Sequence, residues 1–134
     1  MPTAKVFSAL VVVALAACRI GTGGGDLAVA KEPGGARVFL GVSRGAFSGE
    51  LLAVHDDGIM FSNDRTVMFA PFPAITYLNV DKLGRDFVLR PAEIPSGGRL
   101  ARFRAVSRFP QGITPSIQSV LLAQKSQTQI EVLQ

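Results

Sequence analysis

The chain has 134 residues, 48% of them hydrophobic and 18% charged, with a formal net charge of +4, one cysteine and no tryptophan. This is a globular composition with room for one domain of about 100 residues, and it excludes an intrinsically disordered chain. The single cysteine excludes an intramolecular disulfide and a zinc site built on paired cysteines, and the slight excess of arginine falls short of the charge density of a nucleic-acid-binding chain.

Lys5 gives a weak positive start to the chain, and an apolar stretch follows from Val6 to Ala17. The stretch is too short to cross a bilayer, which takes about 20 residues. It ends in Leu15-Ala16-Ala17-Cys18, small residues placed before the only cysteine. This resembles the lipobox of bacterial lipoproteins, in which the cysteine is lipidated and becomes the mature N-terminus. The resemblance implies a signal peptide over residues 1–17. It also implies a thioether-linked diacylglycerol and an N-acyl chain on Cys18. Two or more acyl chains hold a protein on a membrane stably, where one does so marginally. The implied location is the cell envelope, facing the periplasm or on the outer membrane. Arg19 after the cysteine points to the outer membrane under the sorting rule of enteric-type bacteria. The alternatives are ordinary signal cleavage after Ala16 or Ala17, leaving a free thiol, and a buried N-terminal element.

Residues 18–35 contain Gly21, Gly23, Gly24, Gly25 and then Pro33-Gly34-Gly35. Ordering such a segment is entropically costly, so it reads as a flexible tether. A phosphate-binding loop is excluded: no strand precedes Gly21, and no Gly-Lys-Ser/Thr follows.

Short runs with period-2 alternation begin at Ala36 and predict a β-rich core over residues 36–89. Strands are expected at Arg37 to Leu40, Ala46 to His55, Ile59 to Phe61, Thr66 to Ala70 and Ala74 to Val80, with a further one at Asp86 to Leu89. In the second strand, alternation puts Leu51, Ala53 and His55 on one face and Leu52 and Val54 on the other. Asp56-Asp57-Gly58 reads as a hairpin turn in which Gly58 supplies a positive φ. Pro71 and Pro73 break the ladder. The segment Gly49 to Phe61, a glycine, an apolar run and an acidic turn, resembles the bent second strand of SH3-like and Sm-like barrels. The resemblance implies a small barrel or a strongly bent sheet. It does not import RNA binding, because no matching loop is present.

Residues 90–134 form a more helical part. Leu100, Phe103 and Val106 recur every three residues, with Arg99, Arg102, Arg104 and Arg108 on the remaining positions. This predicts a short amphipathic helix ended by Phe109-Pro110. Thr114-Pro115 opens a second helix, Thr as N-cap and Pro at the first helical position, running to Lys125. Gln127 to Leu133 alternates and is expected to close the sheet. The stretches Ser107 to Ile113, Leu121 to Gln124 and Gln127 to Val132 resemble parts of a bacterial lipoprotein family, a likeness that imports no activity.

Three groupings are candidates for chemistry. Gly41-Val42-Ser43-Arg44-Gly45 matches a nucleophile elbow, but a strand follows it where that motif needs a helix. It reads as a hairpin turn. His55-Asp56-Asp57 is a weak ligand set on a turn. Arg99, Arg102, Arg104 and Arg108 form a basic strip that reads either as a solvated helix face or as a surface suited to anionic lipid, an envelope polymer or another envelope protein. The resulting expectation is an α+β chain: a small bent antiparallel sheet or SH3-like barrel, then two short helices and a C-terminal strand. It spans one domain over residues 36–134, tethered through Cys18. Its role is expected to be binding or structural, without catalysis, metal or cofactor; a small envelope hydrolase or metal-binding enzyme is the alternative.

Overall fold

The computed structural model describes residues 34–134. The expected signal peptide, Cys18 and most of the glycine-rich tether lie outside the described residues. Six strands and two helices follow in order: β1 (Arg37–Val42), β2 (Gly45–Val54), β3 (Gly58–Ser62), β4 (Val67–Pro71), β5 (Tyr77–Val80), α1 (Gly97–Ala105), α2 (Pro115–Gln124) and β6 (Glu131–Val132). The fold is α+β.

The strands make one sheet in the order β5-β1-β2-β3-β4-β6. Neighbours are antiparallel except β4 and β6, which run parallel. The sheet is therefore mixed rather than antiparallel throughout. It is also open, with β5 and β6 as its edges, so the expected sheet is present and the closed barrel is not.

Alternation along the strands fills two cores, one on each side of the sheet. On the first side Val38, Leu40, Val42, Leu51, Ile59, Phe61, Met68 and Ala70 meet Phe72, Leu89 and Phe103 of α1. On the second, Leu52, Ala53, Met60 and Val67 meet Leu121 and Leu122 of α2. Simple alternation fails inside β2. The register slips between Leu51 and Ala53, a bulge that inserts one extra residue. Leu52 and Ala53 therefore share a face, and Val54 turns back to the side of Leu51.

The bulge also re-aims the strand's carbonyls. Leu51 O accepts from the Arg108 amide at 3.0 Å, and Leu52 O from the Phe109 amide at 2.8 Å. These bonds lay the segment after α1 across β2. Gly35 sits at that crossing, where a Cβ would lie 1.9 Å from Leu51 O and 2.7 Å from the Arg108 nitrogen.

Other expected elements differ for physical reasons. Gly58 does not have a positive φ. It is needed because a Cβ there would stand 2.4 Å from Ala70 O of β4. The strand expected at Ala74 to Val80 shrinks to Tyr77–Val80, because Phe72–Ala74 turns as a 3-10 helix after Pro71. Asp86 to Leu89 is not a strand; Phe87 packs on Phe103 with ring centroids 5.4 Å apart. Helix α1 ends at Ala105, so Arg108 lies beyond it. Only Glu131–Val132 pairs of the strand expected from Gln127. The Gln127 side-chain amide instead accepts from the Val67 amide at 2.6 Å and donates to Val67 O at 3.2 Å. That holds the main chain one side chain away from β4.

Candidate functional site

Three arginines of the expected basic strip lie on α1 and the fourth, Arg108, lies beyond it beside α2, and each already faces a carboxylate. Arg99 pairs with Glu93, Arg102 with Asp86 at 3.3 Å, Arg104 with Asp56 at 2.5 Å, and Arg108 with Glu50 at 3.8 Å. Each of the four guanidinium groups therefore has an acid partner in the folded domain. The side chains act as clamps. Arg104 Nε donates to Val54 O at 3.0 Å, fixing α1 to the end of β2. Arg99 also donates to Val88 O. Arg99 and Arg102 lie over the Phe87 ring at 5.5 and 6.0 Å, and Arg108 over Phe109 at 5.4 Å.

Two of the carboxylates are tuned by this setting. The Arg102 hydrogen bond and Asp86's own amide hold the Asp86 carboxyl below its usual range. The Arg90 amide, more than the Arg99 guanidinium, lowers Glu93. Hydrogen bonds to the charged form favour it.

The candidate catalytic groupings are not brought together. Ser43 lies in the β1–β2 turn, where its hydroxyl donates to the Gln134 main-chain oxygen at 2.8 Å. His55 follows the far end of β2, about 30 Å away along an extended strand of that length. The His55 ring meets the Phe69 ring edge-on at 5.9 Å. Val54, His55, Asp56, Arg104, Pro110, Gln111 and Gly112 line a cleft of about 380 Å³. No serine, threonine or cysteine side chain lines it, and Asp56 is held by Arg104. Among the described residues, no three His, Cys, Asp or Glu side chains converge as a metal site.

Two other clefts have a binding character. One, of about 300 Å³, runs along α2 between Ile117, Val120, Leu121 and Gln124 on the helix and Arg108 and Phe109 beside it. Val120 is 57% exposed there. The other, of about 390 Å³, runs along β5 and is walled by Leu83, Gly84, Arg85, Phe87 and Val88. Tyr77 and Val88 are 51% and 62% exposed at this groove. Neither groove was expected from the sequence. The α2 stripe repeats at helical spacing and was legible as an amphipathic face. The β5 groove depends on which strand ends up at the edge, which no local pattern records.

Compared with protein-family models, curated proteins and solved structures, the chain matches none. Among the described residues, no helix is long and apolar enough to cross a membrane.

Proposed function

We propose that the chain is a lipid-anchored protein of the bacterial cell envelope whose domain binds or scaffolds a partner and carries out no chemistry. The observation that carries this reading is the apolar stretch ending in Leu15-Ala16-Ala17-Cys18, with the chain's only cysteine at the lipidation position. The glycine-rich segment after it supports the reading as a spacer before a folded domain. The domain's polar groups favour a non-catalytic role. Ser43, Asp56 and the four arginines are engaged in structural hydrogen bonds and ion pairs. The exposed features include an apolar groove along α2, which suits binding.

The test is fractionation in a Gram-negative host, comparing the parent chain with Cys18→Ser. The expected result is a parent in the membrane fraction, with the intact mass of residues 18–134 plus acyl groups, and a variant that is neither cleaved nor acylated. A soluble parent without acyl mass would overturn the reading.

A further inference from the structure

We propose that the free edge of β5 is a docking site for an extended, acidic peptide segment of a partner protein, which adds to the sheet as a further strand. The inference rests on the domain being a binding module and is independent of the lipid anchor.

The register identifies which backbone groups are on offer. Asp81 donates its amide to Arg37 O at 3.0 Å, so Arg37 and Asp81 form a hydrogen-bonded pair in the β1–β5 ladder. Antiparallel pairs alternate between bonded and non-bonded. Phe39 with Asn79 and Gly41 with Tyr77 are therefore bonded pairs, while Leu40 with Leu78 and Val38 with Val80 are not. The β1–β2 hairpin agrees: its two-residue turn closes on Val42 and Gly45, which leaves the alternate residues of β1 to β5. Leu78 and Val80 thus turn their main-chain groups away from β1. Val80 O is taken by the Leu83 amide at 3.2 Å. The Leu78 N–H and C=O and the Val80 N–H are left facing the groove, the pattern that strand addition uses.

The opposite edge of the sheet differs. There β6 covers β4, with Leu133 buried and its amide donating to Phe69 O at 2.8 Å. Head-to-tail pairing of β4 with the β5 of another copy is thereby obstructed. Nothing comparable covers β5 among the described residues. No proline or bulge interrupts it, and apolar Leu83, Phe87 and Val88 stand opposite to receive alternate side chains.

Charge selects the occupant. Lys82 and Arg85 follow the edge strand, with Arg85 lining its groove, and Arg37 sits opposite Asp81 on the neighbouring β1; none has a carboxylate within ion-pair distance among the described residues, whereas Arg99, Arg102, Arg104 and Arg108 all do. Asp81 lies beside the first three; of the other nearby acids, Asp86 is paired with Arg102 and Glu50, opposite Arg37 on β2, with Arg108. Cations next to an edge repel a second copy of the same edge and any basic strand. They favour a strand whose alternate side chains are acidic, with the others apolar to meet the groove wall.

The test uses the full chain in mild detergent and a fluorescein-labelled peptide of three Glu-Val repeats. Anisotropy reads the affinity, and hydrogen-exchange mass spectrometry reads the place. The expected result is binding, with new amide protection confined to residues 77–81. The pair Lys82→Glu with Arg85→Glu should weaken the peptide about three- to tenfold, the range for exposed charge pairs, and should improve binding of a Lys-Val repeat. A peptide N-methylated at every amide keeps its charges and loses its backbone donors; it should not bind. The proposal is overturned by no binding, by equal binding of the Lys-Val or N-methylated peptide to the parent, by protection at α2 in place of β5, or by self-association that protects β5 without peptide. None of these outcomes bears on acylation of Cys18, so failure here is distinct from failure of the anchor.

Discussion

The two helices cover opposite faces of one sheet and are held there by different physics. Helix α1 carries Arg99, Arg102 and Arg104 and buries one residue, Phe103. Helix α2 carries no charged residue and buries two, Leu121 and Leu122. Directional contacts place α1: guanidinium groups reach Val54 O, Val88 O and three carboxylates. The α2 helix is placed by area, with the Thr114 hydroxyl accepting from the Ile117 amide to start it. Magnitudes decide which contact matters most. Exposed ion pairs are worth about 0–1 kcal/mol each. A fully buried aromatic is worth several times that. The charged helix is therefore anchored mainly by its one phenylalanine, and its arginines set orientation more than stability.

Phe103→Ala should produce the largest loss. The ring is fully buried and touches Phe72 and Phe87, with centroids at 6.4 and 5.4 Å. Truncation removes that packing and leaves a cavity, for an expected loss of about 3–5 kcal/mol in urea unfolding. Leu122→Ala should cost about 2 kcal/mol, at the low end for leucine, because Leu122 is 8% exposed at the rim of the smaller core. If Leu122→Ala costs as much as Phe103→Ala, the two cores are equivalent and the contrast between the helices is wrong.

This contrast was only partly legible in the sequence. Thr114-Pro115 announced the start of α2 through local chemistry, and the first four strands through alternation. The Leu52 bulge was not legible, because period-2 reading has no means of registering an extra residue whose partner lies on β3. The arginines were legible as charges but not as pairs. Asp86 and Asp56 lie 16 and 48 positions from their partners, and such contacts exist only once the chain is folded. The same limit hid the β5 groove. An apolar strand reads alike at the edge or the centre of a sheet, and β5 became an edge because β6 returned to β4 rather than to it.

Acid should separate the helices with the smallest effect. Asp86 and Glu93 hold their protons less tightly when folded than when unfolded. Each therefore contributes stability that is present above the ordinary carboxylate range, about pH 4, and is lost as pH falls through the lowered folded value. Asp86 is exposed and Glu93 half-buried, so the loss is local and modest. Hydrogen exchange, corrected for its intrinsic pH dependence, should show residues 86–99 losing protection below about pH 4. Residues 115–124 contain no ionisable side chain and should keep theirs to lower pH. Equal loss in both segments would mean that acid acts on the domain as a whole, and that the ion pairs do not hold α1 and its preceding loop as a separate unit.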